Sequence, residues 1–484
     1  MIDASSPPRG LKTLFLQAPS FDGFDGGAGS RYQAKREVKS FWYPTWLAQP
    51  AALVPGSRLL DAPADGLSVE QTRRIARDYE LVIMHTSTPS FPTDARFAEL
   101  LKEDNPQQLI GLVGAKTMID PEGSLGATAA VDFVCGEEFD HTCREVAEGR
   151  PLAQVAGLSF RGPDGRVVHT ARRAMIEKMD ELPFVAPIYQ RDLTIENYFI
   201  GYLLHPYVSF YTGRGCRSKC TFCLWPQTVG GHRYRVRSAQ NVLTEVQWIR
   251  QNMPQVREIM FDDDTFTDTF DLPRVEAIAR GMGALGMTWS CNAKANVPYK
   301  TLKLMKENGL RLLLVGYESG DDQILHNIRK GLRTDIARRF SEDCRRLGIL
   351  IHGTFILGLP GETAETIEKT IEFAKEINPH TIQVSLAAPY PGTALYKQAL
   401  ENGWMQESAL NLVDEKGVQL AAISYPHLSK EQIFHSMEVF YRRFYFRPGK
   451  IWEIVREMLT SWQMMKRRLR EGVEFFRFLR AHRA

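Results

Sequence analysis

The chain has 484 residues, of which 44% are apolar and 24% are charged, a composition typical of a globular protein with two or three domains. The net charge of +3 is too small to indicate nucleic-acid binding, and seven cysteines in so long a chain exclude a disulfide framework. Residues 1–10 carry no apolar core of a secretory signal, and no run of about 18 apolar residues is present, so we expect a cytoplasmic protein.

The first third of the chain alternates short apolar segments with helical ones, such as residues 68–77 and 92–102. Near-continuous apolar runs of this length are typical of buried parallel strands. The pattern predicts a doubly wound, Rossmann-like α/β domain over residues 1–156. The predicted strands are 11–17, 59–62, 79–86, 108–114 and 131–136.

Residues 157–206 are predicted to form a linker that prolines interrupt, with a hairpin turn at 162–165. From residue 208 to 386, six predicted strands alternate with helices, which predicts a partial (βα)6 barrel within residues 207–430. In such barrels the reactive groups lie at the carboxyl ends of the strands. The predicted strands are 208–212, 258–261, 288–292, 311–317, 350–357 and 381–386.

Three cysteines follow the first barrel strand with the spacing C-x3-C-x2-C: Cys216, Cys220 and Cys223. A tetrahedral zinc site needs a fourth ligand, which His205 or His232 would have to supply. A [4Fe-4S] cluster normally has four cysteines, so three leave one iron open for chemistry. The other cysteines lie scattered, and we expect them to be small buried apolar side chains: Cys135, Cys143, Cys291 and Cys344.

The cysteine spacing resembles that of the radical S-adenosylmethionine (SAM) superfamily, and Phe222 before the third cysteine fits the same pattern. The resemblance implies a [4Fe-4S] cluster whose open iron binds SAM. It also implies that one electron cleaves SAM to methionine and a 5′-deoxyadenosyl radical, which abstracts hydrogen from the substrate. A small electron carrier such as flavodoxin or ferredoxin would supply that electron. Beyond the cluster, no catalytic side chain is assignable.

The same resemblance implies SAM contacts at the ends of the later strands. Asp263, or its neighbour Asp264, would bind the amino group of SAM, Glu318 would bind its ribose, and Arg329 and Lys330 could neutralise its carboxylate. The simpler interpretation makes the carboxylates helix caps and the two cations a solvated face. The full set of predicted SAM contacts is Phe222, Asp263, Asn292, Glu318, Gly358 and Ser385.

The N-terminal domain, placed directly before the barrel, resembles the cobalamin-binding domain of B12-dependent radical SAM proteins. The resemblance implies that Ser87, Gly114 and Gly136, which end predicted strands, contact cobalamin. The chain has no D-x-H-x-x-G motif, so no histidine is predicted as an axial ligand of cobalt. The alternative is a domain that binds nothing, or only part of the substrate.

Residues 441–484 carry twelve basic and four acidic side chains, a net charge of +8, interleaved with aromatic and aliphatic residues. We therefore expect residues 431–484 to form amphipathic helices, broken near Pro448 and Gly449. Such helices either contact the inner face of a membrane or pack on the barrel with solvated arginines.

In layout, the whole chain resembles the hopanoid-biosynthesis-associated B12-binding-domain radical SAM family. That resemblance implies radical rearrangement of the head group of a membrane hopanoid lipid, forming a cyclitol ether. A cobalamin-dependent methyltransferase shares every motif above. A cluster- or cobalamin-based sensor and an RNA-modifying enzyme are further alternatives, and the aromatic tail argues against the RNA one.

Overall fold

A computed structural model describes residues 10–19, 21, 40–406, 412–414, 419–459, 462, 465–466, 468–470 and 472–473. The N-terminal domain is built on a seven-stranded sheet with the order β2-β1-β3-β4-β5-β6-β7. Its strands are β1 (Thr13–Gln17), β2 (Arg58–Asp61), β3 (Leu81–His85), β4 (Leu109–Val113), β5 (Phe133–Cys135), β6 (Leu158–Arg161) and β7 (Val167–His169).

The first five strands are parallel, as predicted, and the turn at 162–165 joins the antiparallel pair β6 and β7. This pair extends the sheet into the segment that the sequence predicted as a linker. The helices of this region are α1 (Thr45–Leu53), α2 (Ala62–Asp65), α3 (Val69–Ala76), α4 (Phe91–Asp104), α5 (Ala115–Ile119), α6 (Pro121–Ala127), α7 (Asp140–Ala147) and α8 (Ala186–Asp192).

Side chains alternate between the two faces of this sheet, and each face packs into a different core. Leu14, Leu16 and Met84 point into a core that belongs to the N-terminal domain. Phe15 and Ile83 point the other way, into a core that continues through α1 into the barrel. The two domains therefore share apolar packing.

The second large sheet has six parallel strands in the order β15-β14-β13-β12-β11-β8, which confirms the partial (βα)6 barrel. Its strands are β8 (Tyr207–Phe210), β11 (Glu258–Phe261), β12 (Trp289–Ala293), β13 (Leu310–Glu318), β14 (Leu350–Leu357) and β15 (Thr381–Leu386), and a hairpin of β9 (Gly213–Arg214) and β10 (Arg235–Val236) follows β8.

The helices of the barrel and of the region after it are α9 (Leu224–Gln227), α10 (Ala239–Asn252), α11 (Leu272–Ala284), α12 (Tyr299–Glu307), α13 (Asp322–Asn327), α14 (Thr334–Leu347), α15 (Ala364–Ile377), α16 (Ala394–Glu401), α17 (Lys430–Tyr445) and α18 (Pro448–Met458). Helix α17 covers the edge strand β15, where the hydroxyls of Tyr441 and Tyr445 accept the amides of Val384 and Ile382 at 2.9 and 3.0 Å. Among the described residues, no helix is both long and apolar enough to cross a membrane.

Four buried charged side chains, here called the interdomain charge cluster, join the two domains: Glu138, Asp140, Arg214 and Arg235. Arg214 on β9 donates to both carboxylate oxygens of Asp140 at 2.7 and 3.0 Å. Arg235 on β10 donates to both oxygens of Glu138 at 2.6 and 2.8 Å. Each of the four side chains is at most 2% exposed. The hairpin that flanks the cysteines is thus held against the N-terminal domain.

Replacing Asp140 with alanine leaves the Arg214 guanidinium buried without its bidentate partner. We expect the variant to lose about 3–5 kcal/mol of unfolding free energy, measured by urea denaturation. The matched control is Glu148→Ala at the end of α7, whose ion pairs with Arg144 and Arg150 are exposed. That control should change stability by only about 0–1 kcal/mol. Equal losses in the two variants would contradict a structural role for the buried cluster.

A candidate active site at the carboxyl ends of the barrel strands

A cavity of about 310 Å³ lies at the carboxyl ends of the barrel strands. All three motif cysteines line it, and Cys216 and Cys220 are nearly buried. The opposite wall is formed by residues that end or follow the later strands. Of the predicted SAM contacts, those that line the cavity are Phe222, Asn292, Glu318 and Ser385.

The side chain of Gln227 holds the cysteine loop in place by hydrogen bonding to the loop backbone. The amide of Gln227 donates to the carbonyls of Cys220, Thr221 and Cys223 at 3.2, 3.1 and 2.8 Å. Its oxygen accepts the backbone amide of Ala394 at 2.8 Å, which ties the loop to the segment after β15. The Gln227 side chain therefore fixes the backbone conformation of the loop that carries the three thiols.

The two histidines considered as zinc ligands lie elsewhere. His205 precedes β8 and so lies at the amino end of the strand, whereas the cysteines follow its carboxyl end. His232 hydrogen bonds through Nδ1 to the carbonyls of Cys216 and Ser218 at 3.3 and 3.0 Å, and it does not line the cavity. Within the described ranges, no three His, Cys, Asp or Glu side chains are grouped to hold a single metal ion.

This geometry suits a cluster better than zinc. A structural zinc ion needs four ligands converging on one point. A cubane instead takes each thiolate on a different iron, so its cysteines need only surround a shared space. The three motif cysteines, which form no disulfide, surround the cavity and meet that condition.

Glu318 and Lys330 form a buried ion pair in the cavity wall, with Lys330 Nζ 2.6 Å from Glu318 Oε1. Glu318 ends β13 with a φ of 63°, a conformation that costs a non-glycine residue roughly 1–2 kcal/mol. Gly316 makes room for the pair, because a Cβ there would lie 2.4 Å from Glu318 Oε1 and 2.9 Å from Lys330 Nζ. Backbone strain and a required glycine at one pair are typical of functional sites.

The pair also sets the charge around the thiols. Burial alone would lower the pKa of Lys330, but Glu318 and the thiols of Cys220 and Cys223 raise it above its ordinary value. The pKa of the Cys220 thiol lies above its ordinary value, because burial, Glu318 and Cys216 raise it more than Lys330 and Lys294 lower it. A permanent cation thus lies beside the cysteines. Arg329, the neighbour considered with Lys330, is exposed instead.

Asp263 lies behind the cavity wall, and its neighbour Asp264 lines the cavity. The Asp263 carboxylate is fully buried and accepts bonds from the amide and hydroxyl of Thr212, both at 2.6 Å, and from the Tyr234 hydroxyl at 2.5 Å. These hydrogen bonds already satisfy both oxygens of the Asp263 carboxylate within the fold. The placement therefore favours Asp264 over Asp263 for contact with a ligand.

Gly358 also lies outside the cavity lining. Its carbonyl accepts the Tyr425 hydroxyl at 3.0 Å, and its amide donates to the carboxylate of Glu362. Glu362 is fully buried, and burial raises its pKa to about 8 although the amides of Gly358 and Leu359 lower it. The segment after β14 is therefore organised around one buried carboxyl group.

The predicted cobalamin contacts lie together on the carboxyl edge of the N-terminal sheet, after β3, β4 and β5. Ser87 exchanges a hydrogen bond with Ser90 at 2.8 Å, Gly114 has a φ of 131° and Gly136 faces open space. This edge faces the barrel: Trp46 of α1 stacks on Trp225 with ring centres 5.2 Å apart.

Sequence reasoning missed His85, the last residue of β3. Its Nε2 is buried and has no hydrogen-bond partner, and burial lowers its pKa to about 4, so the imidazole is neutral. Its ring lies 6.4 Å from that of Trp225, which lines the cysteine cavity. On the neighbouring strand β1, Gln17 Oε1 is likewise buried without a partner. The available signal was a histidine that ends a predicted buried strand two residues before Ser87.

Unpaired buried polar atoms are uncommon in folded proteins and require an explanation. Here two of them lie at the sheet edge that the sequence predicts as a corrin site. A neutral imidazole with a free nitrogen is a common metal ligand. The residues present therefore fit a bound corrin.

Residues 210–374 match the profile of the Radical SAM superfamily, and this range contains all three cavity cysteines and the Glu318–Lys330 pair. The chain carries a radical SAM domain. It is therefore a radical SAM enzyme.

Relatives and solved structures extend the similarity beyond this domain. An uncharacterized methyltransferase from Pyrococcus horikoshii is 29% identical over 434 residues, covering 86% of this chain and 90% of the relative. The cobalamin-dependent SAM radical enzyme OxsB, solved with aqua-cobalamin and SAM, matches with a TM-score of 0.68 at 15% identity, covering 98% of this chain and 71% of that chain.

The radical SAM methyltransferase TsrM from Kitasatospora setae, solved with cobalamin and a [4Fe-4S] cluster, matches with a TM-score of 0.66 at 14% identity. The match covers 90% of this chain and 89% of that chain. These likenesses confirm the predicted fold of a Rossmann-like domain followed by a radical SAM barrel. They do not test the hopanoid assignment, which stays a prediction.

The buried carboxyl of Glu362 should make the stability of the radical SAM domain depend on pH. Its folded pKa of about 8 lies above its unfolded value, so the unfolded state releases this proton first as pH rises. Wild-type unfolding free energy should fall between pH 5 and 8 by on the order of 3–5 kcal/mol. Glu362→Gln should remove that loss, as measured by urea unfolding at several pH values.

Glu99→Gln is the control for this prediction, since Glu99 is exposed on α4. Its pH profile should follow that of the wild type. Parallel profiles for wild type and Glu362→Gln would contradict the raised pKa.

Proposed function

We propose that the protein is a cobalamin-dependent radical SAM enzyme that transfers a methyl group to a carbon atom of its substrate. The observation that carries the proposal is one cavity lined by Cys216, Cys220 and Cys223 and closed opposite by Glu318 and Lys330. The methyltransferase names of the Pyrococcus horikoshii relative and of TsrM support methyl transfer as the reaction class.

A cluster held by the three cysteines would supply one electron for cleavage of the C–S bond of SAM, and a bound corrin would carry a methyl group taken from a second SAM, which leaves as S-adenosylhomocysteine. The three cysteines would hold the cluster as thiolates, so cluster binding releases their protons. Lys330 favours this ionisation of Cys220, because it lies nearby and stays charged. A low-potential carrier of the flavodoxin or ferredoxin class would deliver the electron.

The polar side chains of the cavity wall would bind and orient SAM. Lys330 can neutralise its carboxylate, and Glu318 can accept bonds from its ribose hydroxyls. Asn292, already anchored to the carbonyl of Asp263 at 2.8 Å, and Ser385 offer further polar contacts. Asp264, the carboxylate of this pair that lines the cavity, would contact the amino group of SAM.

The corrin would lie on the sheet edge formed by Ser87, Gly114 and Gly136, between the two domains. Such a ligand would supply partners for two buried polar atoms, His85 Nε2 and Gln17 Oε1. The chain thus offers an imidazole at this edge although the D-x-H-x-x-G motif is absent.

The cluster and the reaction class can be tested together with protein that is reconstituted anaerobically with iron, sulfide and cobalamin and then given SAM and a chemical reductant. We expect about four irons per chain, and both 5′-deoxyadenosine and S-adenosylhomocysteine as products. Replacing Cys216, Cys220 and Cys223 with alanine should abolish iron binding and both products. Cys344→Ala, at a buried cysteine of α14 outside the cavity, is the matched control and should keep them.

Three other outcomes would each contradict one part of the proposal. 5′-deoxyadenosine without S-adenosylhomocysteine would contradict methyl transfer and favour radical rearrangement. A cluster that never cleaves SAM would favour a sensor. Iron retained by the triple variant would contradict the cluster assignment.

We expect His85 to coordinate the cobalt of bound cobalamin. In the cob(II)alamin state, protein labelled with ¹⁵N-histidine should show an altered nitrogen splitting in its electron paramagnetic resonance spectrum. His85→Gln should lose that splitting, and His169→Gln, on the exposed strand β7, should keep it. Bound corrin with an unchanged spectrum in His85→Gln would contradict the ligand, whereas absence of bound corrin would contradict the cofactor itself.

The substrate proposal depends on the sequence resemblance alone, and it names the head group of a membrane hopanoid lipid. Mass spectrometry of lipids from cells lacking the protein tests it directly. We expect loss of a modified head group and accumulation of its precursor. An unchanged hopanoid profile would contradict this substrate while leaving the reaction class open to the product test above.

A further inference from the structure

Helix α18 is attached to the protein body mainly by polar contacts, with Ile454 and Met458 half-buried beside them. Lys450, its one buried residue, donates to the carbonyl of Pro379 at 2.9 Å and to Glu453 at 2.8 Å. Glu453 accepts the amide of Asn378 at 3.2 Å, and Glu457 pairs with His380 at 3.1 Å. Positions 450, 453 and 457 lie on one side of a helix, so this side is attached to the barrel by polar contacts.

The opposite side of α18 is apolar and exposed to solvent. Trp452 is 65% exposed, and Ile451 and Val455 are also exposed. Leu459, the residue after the helix, is 74% exposed. A surface helix of a globular protein normally shows the reverse arrangement, with its apolar side buried. The orientation of α18 therefore points to a partner that covers its outer side.

The apolar pattern continues beyond α18. Trp462, Leu469 and Val473 are helical in the structure, and each is at least 50% exposed. In the sequence, positions 452, 455, 459, 462, 466, 469 and 473 are separated by three or four residues, which is the spacing of a helix face, and the structure ends α18 at Met458 with a turn at Leu459. We name these exposed apolar residues the tail surface: Ile451, Trp452, Val455, Leu459, Trp462, Leu469 and Val473.

Cations accompany the tail surface. Arg456 and Lys466 are exposed, and neither has an ion-pair partner among the described residues. Lys466 lies over the ring of Trp462 at 5.3 Å. Residues 441–484 as a whole carry a net charge of +8. Exposed tryptophans beside cations match the boundary between acyl chains and anionic head groups.

We propose that the tail surface binds an anionic lipid bilayer as an interfacial helix. Charge favours this occupant over a second copy of the chain, because two tails of net charge +8 would repel each other. Exposed large apolar side chains in this number need a partner that buries them. The proposal is independent of the proposed function, since none of its residues lines the cavity.

The tail surface lies at the end of the barrel opposite the cavity. Helix α18 contacts Asn378, Pro379 and His380, which precede the first residue of β15. Arg470 lies over the ring of Phe199, which precedes β8. The cysteines follow the carboxyl end of β8, so the barrel strands separate the two sites.

The test uses the full chain with vesicles of phosphatidylcholine, with and without about one third phosphatidylglycerol. We expect the protein to sediment with the anionic vesicles only, with binding weakened by added salt. The variant Trp452→Glu/Leu459→Glu should bind at least ~tenfold more weakly, because both charges would enter the acyl boundary. Ile336→Glu, at an exposed apolar position on α14, is the matched control and should bind like the wild type.

Circular dichroism and SAM cleavage of the double variant should equal those of the wild type, which separates lost binding from misfolding. Equal vesicle binding by the double variant and wild type would overturn the proposal, as would wild-type protein that stays in solution. A dimer in analytical ultracentrifugation that the double variant abolishes, without vesicle binding, would assign the surface to a second copy instead.

Discussion

The position of the cysteines depends on the interdomain charge cluster. Arg214 and Arg235 lie on the two strands of the hairpin that encloses the cysteine loop, and their carboxylate partners belong to the N-terminal domain. Charges buried this deeply are tolerated only when they are fully paired. The domains therefore have one arrangement in which each arginine meets its carboxylate partner, and that arrangement sets the cysteines against the sheet edge.

In the cavity wall, a second charged pair, Glu318 and Lys330, prepares the site for a ligand. Glu318 and Lys330 are held close by a strained backbone and by the absence of a side chain at Gly316. Because the pair is preformed, SAM would find the cation for its carboxylate and the acceptor for its ribose already in place. Interactions that need no rearrangement on binding cost less free energy than those that must be ordered first.

The sequence predicted the sheets and the cysteine site because both depend on local patterns. Apolar runs such as Leu81–His85 mark buried strands, and the cysteine spacing is short enough to be recognised along the chain. The choice between Asp263 and Asp264 was different. It depends on Thr212 and Tyr234, which are distant in sequence and meet Asp263 only in the folded barrel.

Long-range pairing also explains what else the sequence left open. The interdomain charge cluster joins residues 74 and 97 positions apart, so no local pattern indicates it. The spacing of the tail predicted an amphipathic helix but not which side faces inward, since that depends on Asn378, Pro379 and His380. His85 belongs to no motif, and its burial without a hydrogen-bond partner distinguishes it from other residues that end strands.

The orientation of α18 has a consequence for how any lipid would reach the cluster. If a bilayer binds the tail surface, the cavity mouth points toward the aqueous phase. The full length of the barrel then separates the cavity from the membrane. Strand β13 has nine residues, which at about 3.3 Å per residue separate the two ends by roughly 25–30 Å. A membrane-resident substrate would have to leave the leaflet, or be handed over by a carrier, before its reacting carbon could come within reach of a radical.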